Sequence, residues 1–129
     1  MIEVVVSMAI LGVGILALLT LLPSATRLAG HSDFLGRASG ILINQLHIQE
    51  AMVLNPNITI SPGAQPSIDV YPSGNSVQGA GDVRFTVNTT LQPLGTGNAW
   101  LIRVNVTWPG NSTGISETLR VVRQEKFRQ

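Results

Sequence analysis

The chain of 129 residues contains no cysteine. That excludes disulfide staples, thiolate metal sites and a cysteine nucleophile, and leaves the redox compartment undecided. Charged residues are scarce at 12%, and the formal net charge of +1 argues against a broad basic surface for nucleic acid. Only two histidines occur, His31 and His47, too far apart for i,i+4 metal ligation and without an acidic cluster beside them. They read as surface or packing residues. No Ser–His–Asp arrangement emerges from the scattered candidates. These absences point to a non-enzymatic protein with no metal and no cofactor.

The most telling scarcity is local. Between Met1 and Thr26 there is a single charge, Glu3, and Val4 to Leu22 is wholly uncharged. As a helix that run measures about 28 Å, close to the hydrocarbon thickness of a bilayer. A cleaved secretory signal would need a basic flank ahead of the run, and the flank here is acidic. A plain transmembrane anchor fits the length but leaves Glu3 unexplained, because an ionisable group at the membrane edge calls for a partner. Gly12-Val13-Gly14-Ile15-Leu16-Ala17, with Asp33 downstream, mimics a dinucleotide-binding fingerprint. Its context fails. The residues after the glycines are apolar on every side, and no alternation of strands and helices follows.

Beyond Pro23 the pattern becomes amphipathic. Leu28, Leu35, Ala38, Leu42, Leu46 and Val53 form one stripe, against a polar side carrying Arg27, Asp33, Arg37, Gln45 and Glu50. Pro23 is expected to kink the helix and free a carbonyl, while Gly30, Gly36 and Gly40 weaken it locally. Asn55-Pro56 ends it. The expected divisions are therefore an apolar helix over 1–22, an amphipathic half over 23–54, a Pro/Gly-rich loop over 55–81, and a β region over 82–129. The loop holds one short strand, Ser67 to Tyr71. Alternation then marks strands at Val83 to Asn88, Trp100 to Trp108 and Ile115 to Val121, joined by turns at Leu94 to Asn98 and Pro109 to Ser112. Short connections predict an antiparallel meander of three to four strands, covered on its apolar face by the amphipathic helix. The fold class expected is α+β.

That plan resembles the type IV pilins and pseudopilins. Ile2-Glu3-Val4 followed by Val5 to Leu22 looks like the start of a mature pilin just after its processing site. Trp100 to Val122 is similar to the closing strands of PilV-type minor pilins and of the I-type minor pseudopilin of type II secretion. The resemblance implies a structural subunit of a filament, held in the inner membrane before assembly and then placed in a periplasmic or cell-surface fibre. Its implied partners are other pilin subunits, the bilayer, the assembly platform and a prepilin peptidase. The family's matching glutamate pairs with the N-terminal amine of a neighbouring subunit, so Glu3 is expected to pin the register, because an unpaired carboxylate in an apolar core is costly. Family members carry a basic leader ending in Gly and usually two mature residues ahead of the segment that begins here at Met1, which implies an internal start or a trimmed chain. Pro23 lies a few residues later than in major pilins, which favours a minor subunit.

Several features receive plainer readings. Asn57, Asn88, Asn105 and Asn111 each begin an Asn-x-Ser/Thr triplet, a pattern that an Asn- and Thr-rich β domain yields by composition. Trp100 and Trp108 share an inner strand face and read as core. Arg120, Arg123, Lys126 and Arg128, with Glu125 interspersed, read as a solvated charged tail rather than a DNA contact. The competing function is a single-pass membrane-anchored extracytoplasmic binding domain that never polymerises.

Overall fold

A computed structural model of the chain describes residues 1–75, 77–95 and 98–123. It divides into two units, Met1–Leu35 and the part from Gly36 onward. A helix, α1 (Ile2–Leu54), contributes to both. Leucine and valine are the commonest residues of its first half, and leucine, the more frequent, is among the strong helix formers. Pro23 sits inside α1 without ending it. Its missing N–H removes the bond to the Leu19 carbonyl, and the hydroxyls of Thr20 and Thr26 return to the carbonyls of Ala17 (2.7 Å) and Pro23 (3.0 Å) nearby.

The first unit is this helix alone, and its large apolar side chains lie in the open: Leu16 is 64% exposed and Leu21 63%. The second unit holds the core. There the C-terminal part of α1 buries Ala38, Leu42, Leu46, Gln49 and Val53. Sequence reading ran the apolar stripe back to Leu28 and Leu35, but these are 71% and 46% exposed. Both fall in the first unit, so periodicity continued past the point where there is a sheet to cover. The same reading missed Gln49, a polar residue on the buried face.

Five strands form one antiparallel sheet, one more than the most expected: β1 (Gly63–Ala64), β2 (Ile68–Val70), β3 (Phe85–Leu94), β4 (Ala99–Trp108) and β5 (Asn111–Val122). β3, β4 and β5 make the meander, and β1 and β2 both pair with β3, on residues 90–91 and 85–87 respectively. The loop between α1 and β3 thus contains two short strands instead of one. β1 has only two residues, both exposed, which leaves alternation nothing to register. β3 and β5 also run further than their apolar residues alone announce, because Thr89, Gln92 and Pro93 continue the ladder opposite β4. The β3–β4 turn includes residues 96 and 97, which lie outside the described residues.

One face of the meander is apolar. Phe85, Val87, Leu91, Trp100, Ile102, Val104, Val106, Trp108 and Val121 are all buried. Trp100 and Trp108 take their expected core places, with the Trp108 ring 6.2 Å from that of Phe85. The outer face is polar, its cross-strand pairs including Asn88 with Asn105 and Thr90 with Arg103. Among the described residues β5 has β4 as its only neighbour and is therefore an edge strand. Within β5, Glu117 stands opposite buried Val104, on the apolar face between Ile115 and Leu119, and is itself exposed.

The β4–β5 hairpin carries a bulge between Val106 and Trp108. Gly114 sits there with φ +65°, and an added Cβ would lie 2.0 Å from the Val106 carbonyl oxygen. Asparagines stitch the irregular stretch. Asn111 Oδ1 accepts from the Gly114 N–H at 2.9 Å, and Asn105 Nδ2 donates to the Thr113 and Ile115 carbonyls at 3.2 and 3.4 Å. Gly114→Ala is expected to lower stability by at least about 2 kcal/mol through the clash and the left-handed backbone. Chemical denaturation of the full chain in detergent checks this, and a change within error of zero would mean the bulge relaxes.

Candidate functional site

Glu3 lies in the first turn of α1. A carboxylate there lies beside the first backbone N–H groups of the helix. The Ser7 hydroxyl donates to the Glu3 carbonyl at 2.8 Å, one turn on. Glu3, Ser7 and Leu11 follow one another at i, i+4 and i+8, and with Val4 and Met8 they line a shallow groove along the helix surface. The groove is apolar except for Glu3 and Ser7. Sequence reading singled out Glu3 and passed over Ser7, although the i,i+4 spacing from Glu3 was the available signal.

The helix around this pair is apolar enough to cross a membrane by length and composition. An 18-residue window reaches a mean hydropathy of 2.7 with none of it buried. Pro23, the other residue singled out for assembly, lies about 30 Å further along the helix at 1.5 Å per residue. The structure does not bring Glu3 and Pro23 together; each lies at its own level of α1.

The remaining candidates belong to the second unit. His47 Nδ1 lies 3.5 Å from Glu50 Oε2, an exposed contact that becomes an ion pair on protonation. Among the described residues no three His, Asp or Glu side chains converge as a metal cluster would require. Asp69 ties β2 to β3, accepting from the Thr86 hydroxyl at 2.9 Å and lying 3.8 Å from Arg84. Beyond that tie a polar cleft of about 610 Å³ opens among Arg84, Thr86, Thr107, Trp108, Asn111 and Ser112.

Arg123 departs from expectation. Sequence reading placed it in a solvated tail with Arg120, Lys126 and Arg128. Arg120 is indeed exposed, and Lys126 and Arg128 lie outside the described residues. Arg123 is half-buried and turned inward. Its Nε donates to the Val53 carbonyl and its Nη2 to the carbonyls of Asn55 (3.1 Å) and Ile58 (3.3 Å). Its backbone N–H donates to the Asn98 carbonyl at 2.7 Å. A cation here satisfies carbonyls at the C-terminal end of α1, where the helix dipole is negative. Sequence distance hid this role, since the partners lie 65 to 70 residues away.

Asp82 organises the loop before β3. The Ser73 hydroxyl donates to its Oδ2 at 2.6 Å and the Gly79 N–H donates to the same oxygen at 3.1 Å. The Ser73 hydrogen bond, joined by backbone donors and the charge of Arg37, holds the carboxyl below its ordinary value of 3.8. A depressed carboxyl pKa contributes order that is present above 3.8 and is lost as pH falls through the folded value.

Two outcomes follow from these contacts. Arg123→Ala should cost about 2–3 kcal/mol, the range for charged donors, and Arg123→Lys should restore little because one ammonium cannot reproduce the fork; unfolding curves of both variants decide it. Ser73→Ala should raise the Asp82 titration toward 3.8 in a carboxyl NMR experiment, whereas an unmoved midpoint would assign the shift elsewhere. No family model matches the chain, and neither a curated protein nor a solved structure matches it either.

Proposed function

We propose that this chain is a non-catalytic structural subunit of a pilin-like filament, inserted in a membrane through α1 and polymerising through the same helix. One observation carries the reading. The stretch of α1 that is long and apolar enough to span a bilayer, up to Thr26, bears a single ionisable side chain, Glu3, and the helix continues into an α+β body. In hydrocarbon the Glu3 carboxylate needs a cation, and the N-terminal amine of a neighbouring copy supplies one where the helices stack in a single register. The partners are then other subunits of the same kind, the lipid bilayer before assembly, and the peptidase and inner-membrane platform that such filaments require. The finished location is a periplasmic or cell-surface fibre.

The second reading is a single-pass anchored binding domain. It is favoured by the place of Glu3 at the edge of the uncharged run, where a headgroup layer would satisfy the carboxylate without any neighbour. The two readings separate at Glu3. In the filament reading Glu3→Ala leaves a buried amine unpaired, which costs about 3 kcal/mol or more, roughly a hundredfold in assembly. The variant should stay in membranes and vanish from sheared surface material. Normal recovery in the sheared fraction would sink the register-pin role, and harmless or improved insertion with no wild-type filament at all would establish the anchor.

A further inference from the structure

Four of the eight asparagines head an Asn-x-Ser/Thr triplet, where the chain's share of Ser and Thr would place about one. Composition therefore explains only part of the set, and the surroundings of each triplet sort them. Transfer of a glycan to asparagine needs an exposed amide nitrogen with no prior partner, a reachable hydroxyl two residues on, and backbone that an enzyme groove is able to bend.

Asn105 fails first, because its Nδ2 donates to both Thr113 and Ile115. Asn111 is half-buried and its side-chain oxygen is held by the Gly114 N–H in the hairpin bulge. Asn88 is exposed, but it lies in β3 within the ladder to β4, and Thr89 beside it is buried. Bending that stretch would open the sheet.

Asn57 meets all three conditions. Asn57-Ile58-Thr59 lies outside every helix and strand, directly after the Asn55-Pro56 stop. Asn57 and Thr59 are exposed, and neither side chain has a hydrogen-bond partner among the described residues. The turn's contacts are local ones and those of a single side chain, so bending it opens no strand ladder. Arg123 holds the Asn55 and Ile58 carbonyls, and the Asn57 N–H donates to Asn55 Oδ1 at 3.0 Å in a side-chain-closed turn. The turn thus presents Asn57 to solvent while the half-buried Ile58 faces the body of the unit.

We propose that Asn57 is the acceptor of an N-linked glycan in the folded protein. The donor class is an oligosaccharide carried on a lipid phosphate. The Asn57 Nδ2–C1 bond forms, the C1–O bond to the carrier phosphate breaks, the phosphate departs with the electron pair, and one amide proton passes to a base of the transferase. The inference rests on the reading above to the extent that the body of the chain must reach the exported side of a membrane, where such transfer occurs.

The test uses the full chain recovered from the membranes and sheared surface of the cells that make it, with protease accessibility measured in parallel on cells stripped of any outer envelope. Trypsin leaves residues 38–84, with Asn57 as the only triplet, apart from 85–103 with Asn88 and 104–120 with Asn105 and Asn111. Mass spectrometry should find 38–84 heavier by whole sugar residues attached at Asn57. Both Asn57→Gln and Thr59→Ala should return the variant peptide to its bare mass, the latter with the acceptor asparagine intact. A bare wild-type 38–84 peptide overturns the inference, including when sugar is found only on 104–120. If that protein is accessible to protease outside the membrane, export stands and the inference alone falls; if it is inaccessible, both fall together.

Discussion

Five alternate residues of β4, from Trp100 to Trp108, are buried, and a three-stranded meander with such a face cannot stand in water uncovered. The rest of the second unit follows from the need to cover it. The stripe from Ala38 to Val53 supplies the lid, and its end is bolted to the end of β5 by one guanidinium that satisfies three carbonyls. The loop after α1 then has fixed endpoints, and its two short strands add to the free side of β3 instead of wandering. Asp82 ties its last stretch by drawing Ser73 and Gly79 onto a single oxygen.

The first unit obeys the opposite constraint. Its helix satisfies every interior backbone group internally, apart from the carbonyl left by Pro23, and buries none of its large side chains. A helix of that kind is complete in its hydrogen bonds and incomplete in its solvation, so it seeks either lipid or other helices. The proposed filament role uses both environments in turn, with Glu3 as the group that distinguishes them.

Most of the architecture was readable because it rests on period and punctuation. The switch from an all-round apolar helix to a striped one, the stop at Asn55-Pro56, and the alternation of β4 all leave strong marks in the chain. What escaped reading has a common cause. Arg123, Gln49 and β1 depend on neighbours distant in sequence, and nothing local announces them. Leu28 and Leu35 misled in the other direction, since their spacing matches the buried stripe although their unit has no sheet beneath it. Of the candidate site, Glu3 stood out by being alone, whereas Ser7 was camouflaged as one small residue among many.

The placement of Glu117 has a meaning for crowding. Among the described residues β5 offers a twelve-residue strand with no neighbour on its outer edge, long enough to recruit a strand from another molecule. Any strand added there would extend the apolar face, and its side chains would have to settle beside a carboxylate held between Ile115 and Leu119. A protein whose proposed work is to gather many copies of itself along one helix has reason to keep its sheets from fusing sideways. One acidic residue on the inner face turns an adhesive edge into a repellent one, so that copies brought close together meet through the helix and not as amyloid-like ribbons.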